Sequence, residues 1–122
     1  MLRSIGTALA AVGLLLGACT TPYAGEYAKG SNKTLGVTKD VWSGYEEYVG
    51  KLTGVNKGVF VVAAIKDVGL SYVYYYCPGT KCIYENTAKK AMEDCKGMDP
   101  RVDCVMFAQS ATILVNYKQL DQ

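Results

Sequence analysis

The residues best placed to do chemistry lie in one stretch, YVYYYCPGTKC at 72–82, where four tyrosines precede two cysteines that bracket a Pro-Gly turn. Cys77, Cys82, Cys95 and Cys104 follow the pattern CxxxxC then C-x8-C. Zinc needs closely paired ligands, usually a CxxC knuckle or histidines, and the chain has neither that knuckle nor any histidine. No metal or other cofactor is therefore expected. The CxxxxC loop is also too wide for the CxxC geometry that lowers a thiol's pKa, although Cys82 lies just before a predicted helix. Without histidine there is no base for a Ser-His or Cys-His pair. Glu46 and Glu47 are adjacent on a predicted helix and point about 100° apart, which is poor geometry for an acid and base acting across one bond. They read as a solvated face, as do Lys89 and Lys90, so no catalytic residue is assigned. The tyrosines offer different chemistry. On a regular strand Tyr72, Tyr74 and Tyr76 share one face, while Val73, Tyr75 and Cys77 share the other. An aromatic ladder of this kind, with Tyr84 and Tyr117 nearby, could bind a protein or a glycan strand, because tyrosine combines large area with a polar tip. The simpler alternative is cross-strand packing under a helix.

The amino terminus indicates where such a surface would work. Arg3 precedes an apolar run at 5–16 that falls short of the roughly 20 residues a membrane span needs, so 1–18 reads as a secretory signal. The following LGAC, 16–19, resembles the lipobox of bacterial lipoproteins. By that resemblance Cys19 becomes a lipidated mature terminus, and two or three acyl chains, at roughly 0.8 kcal/mol per buried methylene, tether the protein stably to a membrane. The next residue is Thr20, where an Asp would act as the inner-membrane retention signal. The resemblance thus implies anchorage to the outer membrane, facing the periplasm. In that oxidising setting the four remaining cysteines predict two disulfides. The whole chain carries 13 Lys and Arg against 11 Asp and Glu, a net charge of +2. It has no basic field of the kind that nucleic-acid binding requires.

These groups must be positioned by a small domain. Residues 19–35 are rich in Gly, Ser, Thr, Ala, Asn and Tyr and read as a lipidated flexible tether, which leaves 36–122 as the folded unit. That unit is close to the size at which a hydrophobic core alone is marginal, so covalent staples are expected. In TKDVWSGYEEYVGKL, the spacing of Val41, Trp42, Tyr45, Tyr48, Val49 and Leu52 predicts an amphipathic helix capped by Thr38, with Trp42 as a core anchor. VFVVAAI at 59–65 and LSYVYYYC at 70–77 predict a β-hairpin whose first strand, apolar on both faces, is central or covered. NTAKKAMEDCKG predicts a second helix with Asn86 or Thr87 as its cap. CVMFAQ and TILVNYK predict a second hairpin turning at Ser110 and Ala111.

WSGYEEY, GVFVVAAIKDVGLSY, AKKAMEDC and VDCVMFAQSATILV, taken in order, resemble a family of small secreted or lipid-anchored bacterial domains of unknown function. In that family a Trp and Tyr helix precedes an AFAV...DG-like hairpin, an A..AL..C-like helix and a C.IYA-like strand. The family brings no activity. The resemblance implies the fold and a relation between Cys95 and Cys104, and local pairing would add Cys77 with Cys82 across the Pro-Gly turn. The expected fold is α+β in the order helix, hairpin, helix, hairpin, with an antiparallel sheet of about four strands and helices on one face. The expected function is an outer-membrane-anchored, non-catalytic module that binds an envelope protein or the cell wall. The alternative is a thiol-active or other periplasmic enzyme of unrecognised type.

Overall fold

The computed structural model describes residues 22–52, 57–77 and 83–122. A 3-10 turn at Pro22–Tyr27 leads to strand β1 (Leu35–Val37), helix α1 (Lys39–Gly50) and the long strands β2 (Lys57–Ile65) and β3 (Val68–Cys77). Helix α2 (Tyr84–Met98), β4 (Asp103–Gln109), β5 (Thr112–Ile113) and β6 (Tyr117–Gln119) follow. All the strands join one six-stranded sheet in the order β5-β4-β2-β3-β1-β6.

This corrects the expected architecture in two respects. The sheet has six strands, and it is mixed: β2 pairs antiparallel with β3 and β4, whereas β1 pairs parallel with both β3 and β6. Its two helices lie on opposite faces. The residues of β2 divide by parity, with Phe60, Val62 and Ala64 packing with α1 and Val59, Val61 and Ala63 packing with α2. A strand buried on both faces needs no polar alternation, which explains the unbroken apolar run. Of the two expected disulfides, one has both its cysteines among the described residues, and Cys77 is disulfide-bonded as well. Cys95 and Cys104 are joined with Cα atoms 6.0 Å apart, fastening α2 to the start of β4. The expected partner of Cys77, Cys82, lies outside the described residues, as do Cys19 and the signal segment.

The sheet is strongly curled. β5 and β6 stand at opposite ends of the strand order, yet only residues 114–116 separate them. That connection reaches at most about 15 Å, while five spacings of about 4.8 Å would set the ends of a flat sheet about 24 Å apart. The two ends meet through Leu114 N–H donating to the Phe107 carbonyl at 2.8 Å and Leu35 N–H donating to the Asn116 carbonyl at 2.9 Å. The concave side encloses the larger core, in which Leu35, Val37, Val41, Tyr48, Phe60, Phe107 and Val115 are fully buried.

Local chemistry explains the elements. Thr38 caps α1 as expected, its hydroxyl accepting from Val41 N–H at 3.4 Å. The β2–β3 connection is a two-residue turn in which Lys66 and Asp67 both have positive φ, the geometry that matches the twist of a tight hairpin. Helix α2 starts earlier than expected, at Tyr84. Neither Asn86 nor Thr87 caps it: Ile83 holds the cap position without a side-chain bond, and the Thr87 hydroxyl turns back to donate to the Ile83 carbonyl at 3.4 Å. The stretch expected as one closing strand is divided into β5 and β6 by residues 114–116, which cross between the two ends of the curled sheet.

The segment expected as a tether is part of the fold from Pro22 onward. Ala24 and Tyr27 are 1% exposed and Leu35 is fully buried. The Tyr27 hydroxyl donates to Asp67 in the hairpin turn, and Lys33 Nζ lies 3.2 Å from the same carboxylate and 3.5 Å from Glu26. Asn116 completes the attachment, its Nδ2 donating to the Ser31 and Lys33 carbonyls, each at 3.0 Å. Composition hid this because the segment binds through scattered side chains and backbone groups and carries no apolar period.

Candidate interaction site

Tyr72, Tyr74 and Tyr76 do share one face, the concave one, and all three are half-buried. Tyr72 and Tyr74 stack on each other with ring centroids 6.1 Å apart and 3° between planes, and both stack on Phe60, at 5.2 and 6.0 Å. Tyr76 stacks on Tyr48 at 5.7 Å, and its hydroxyl donates to the Tyr48 carbonyl at 3.1 Å. The ladder is therefore the wall against which α1 packs. The contact is close because Gly44 faces the Tyr72 ring: a Cβ at that position would fall 2.2 Å from Tyr72 Cζ. Burial pushes the Tyr76 hydroxyl pKa up to about 12, and burial also raises that of Tyr48, whose hydroxyl donates to the Ser110 carbonyl at 2.8 Å.

The other expected companions separate. Tyr117 joins Trp42 in a parallel stack at 5.6 Å and meets Phe107 edge-on at 5.4 Å, at the far end of the concave core. Trp42 is partly buried, packed against that core without being enclosed by it. Tyr84 belongs to the convex side with α2. Tyr75 also faces that side; its hydroxyl donates to Asp94, and Lys90 Nζ stands 5.4 Å from its ring centroid. Cys95 is fully buried within its disulfide. Glu46, Glu47, Lys89 and Lys90 are exposed on their helices, as expected of a solvated face.

The feature that the ladder borders is the edge of its own strand. β1 is three residues long and pairs with β3 only at Val68 and Gly69, after which Thr38 N–H donates to the Gly69 carbonyl and the chain turns into α1. Beyond Gly69, no described residue forms a strand pair with β3 on the side away from β2. Burial records the difference directly. Every residue of β2 from Gly58 to Ala64 is buried, whereas Leu70 and Ser71 are exposed and each residue at 72–76 is half-buried, whichever face its side chain takes. The edge is also uncharged: 70–76 reads LSYVYYY. Edge strands are commonly guarded by lysine, proline or a bulge. Here the guard is a single bulge opposite Ala63 and Ala64, next to Leu70, and no charge lies along the strand beyond it.

Charge lies beside the edge, on the flank of α1. Lys51 Nζ is 5.9 Å from the Tyr74 ring centroid, the Glu47 charge acts on Tyr76, and Glu47 and Lys51 pair with each other at 3.7 Å. The arrangement gives an unpaired row of backbone donors and acceptors with tyrosine rims and one acidic and one basic side chain alongside. Such a row can bind an extended strand through main-chain hydrogen bonds. Sequence reasoning found the tyrosines but missed the edge, because the available signal was the shortness of β1, a three-residue LGV without strand periodicity.

A groove of about 370 Å³ lies on the other side of the molecule, between Tyr27, Met92 and the Cys104 end of β4. Its charged rim of Glu26, Lys96 and Asp103 is of mixed sign, and among the described residues no group of three or more His, Cys, Asp or Glu could hold a metal. No helix among these residues is long and apolar enough to cross a membrane. No protein-family model, curated protein or solved structure matches the chain.

Proposed function

We propose that this chain is a non-catalytic contact module of a bacterial envelope, held at the outer membrane by acyl chains on Cys19 and acting through the free edge of β3. The carrying observation is that edge: a tyrosine-bordered, uncharged strand whose outer side pairs with nothing described beyond Gly69. The lipobox-like LGAC supports the anchorage. Cys19 stands three positions before Pro22, so the domain would sit within about 11 Å of the lipid that carries it.

Two experiments test the two halves. Cys19→Ser should abolish incorporation of a palmitate analogue and release the protein from the membrane fraction; unchanged labelling removes the anchor. A photo-reactive side chain placed at Ser71, beside the edge, should give a discrete adduct in intact envelopes, whereas the same side chain at Lys89 on the exposed face of α2 should not. Equal labelling from both positions, or none from Ser71, removes the edge as the contact surface.

A further inference from the structure

We propose that the occupant of the β3 edge is a second copy of this chain, joined strand to strand about a two-fold axis. The inference rests on the contact reading above and goes further by naming the partner. Three features of the molecule favour self-pairing. An antiparallel junction of two identical edges sets each residue of one copy against a residue of the same strand in the other, so any charge along 70–76 would meet its like near the axis; the stretch has none. The alternation also survives the two-fold. Tyr72, Tyr74 and Tyr76 all lie on the concave face, and an in-phase antiparallel pairing extends the aromatic ladder across the junction into the partner's ladder.

The third feature is the pair of charges on the flank of α1. Glu47 and Lys51 stand one turn apart on the side of the helix that overhangs Tyr74 and Tyr76, and both are about half exposed. A two-fold operation reverses the direction of that flank, so the Glu47 of each copy can face the Lys51 of the other. One acidic and one basic group at this spacing form a self-complementary set, which two acidic or two basic groups would not. An isologous interface requires this kind of reciprocity. Anchorage contributes as well, because copies confined to one lipid surface meet at a much higher effective concentration than copies free in solution.

The test uses the full lipidated chain in its membrane, prepared as an equal mixture of ¹⁴N- and ¹⁵N-labelled protein and treated with a zero-length carboxyl-to-amine crosslinker. The expected product is a Glu47-to-Lys51 crosslink of mixed isotopic origin. Because Glu47→Lys also removes the carboxyl that the crosslink needs, the variants are read by native mass spectrometry of the detergent-extracted mixture: Glu47→Lys should lower the mixed-isotope dimer about tenfold by setting like charges across the axis, and the exchanged pair Glu47→Lys/Lys51→Glu should restore both the dimer and the crosslink. All three proteins should retain the thermal transition of the unaltered chain, since the two side chains are exposed. Crosslinks of single isotopic origin only, or a double exchange that fails to restore the dimer, would overturn self-pairing. If the Ser71 adduct described above forms with a different envelope component and no mixed-isotope product appears, self-pairing fails while the contact reading survives. If no adduct forms at all, both fail.

Discussion

β2 and β3 are neighbours of similar length and similarly apolar composition, yet the sheet uses them differently. β2 has a strand on each side and a helix over each face, and its interior residues are fully enclosed. β3 has the same helices above and below but a partner along only two residues of its outer edge, and every side chain at 70–76 keeps some contact with solvent. Composition decides which strand can be buried, but the length of the neighbouring strand decides whether it is. Had β1 continued alongside the whole of 70–76, β3 would be as enclosed as β2; instead Thr38 caps a helix at that point.

The comparison breaks most sharply at matched aromatic positions. Phe60 on β2 is fully buried and pairs across the ladder with Tyr74 on β3, which is half-buried. Phe60→Ala should destabilise the protein by about 3–5 kcal/mol in urea denaturation, and Tyr74→Ala by roughly half of that, since part of its surface is already in water. Equal losses would mean that β3 is as enclosed as β2. The cover over the convex face of β2 depends on the bond between α2 and β4, so Cys95→Ala/Cys104→Ala should cost about 2–3 kcal/mol for a loop this short. No loss would show that α2 is held by packing alone.

A smaller effect is expected where α1 meets the ladder. Gly44→Ala should destabilise by about 1–3 kcal/mol, because the added methyl requires the Tyr72 ring to move. The same substitution at Gly50, where an added Cβ would meet nothing within 4 Å beyond its own stretch of helix, serves as a reference that carries only the helix-propensity gain. The smallest effect concerns pH. The Tyr27 hydroxyl and Lys33 hold the Asp67 carboxyl below its usual range, so its contribution is present above the ordinary carboxylate pKa near 4 and is lost as pH falls through the lowered value. Asp67→Asn should therefore lower stability slightly at neutral pH, leave the low-pH end nearly unaffected and so flatten the acid limb of the stability curve. An unchanged acid limb would remove this attachment of the amino-terminal segment from the account.

The sequence made legible those features that local chemistry fixes. The Thr38 cap, the apolar stripe of α1, the doubly apolar β2 and the run of the β2–β3 hairpin all follow from side-chain type and period. The Cys95–Cys104 bridge came from the family resemblance and from local pairing. What stayed hidden depends on partners distant in the chain. β1 pairs with β6 from Leu35↔Tyr117 to Val37↔Gln119, a contact across most of the chain that no short window contains. α1 and α2 take opposite faces because β2 is apolar at both parities, and the sequence shows that property without showing which helix meets which parity. At the candidate site the tyrosines were visible and their common face was correct. Their packing under α1 could not be separated from exposure until Gly44 was seen against Tyr72, and the edge beside them followed from a strand too short to announce itself.

The account rests on the outer edge of β3 being open within one chain, and amide hydrogen exchange resolved residue by residue tests this most directly. In dilute detergent-solubilised protein, the amides at 59–64 of β2 should all exchange slowly, near the rate of global opening. Within 70–76 of β3, slow and fast amides should alternate, the fast ones being those that point away from β2, and they should gain protection as protein concentration rises. Slow exchange at every position of 70–76 in the dilute sample, matching β2, would show that the edge is already paired within the chain and would contradict the account.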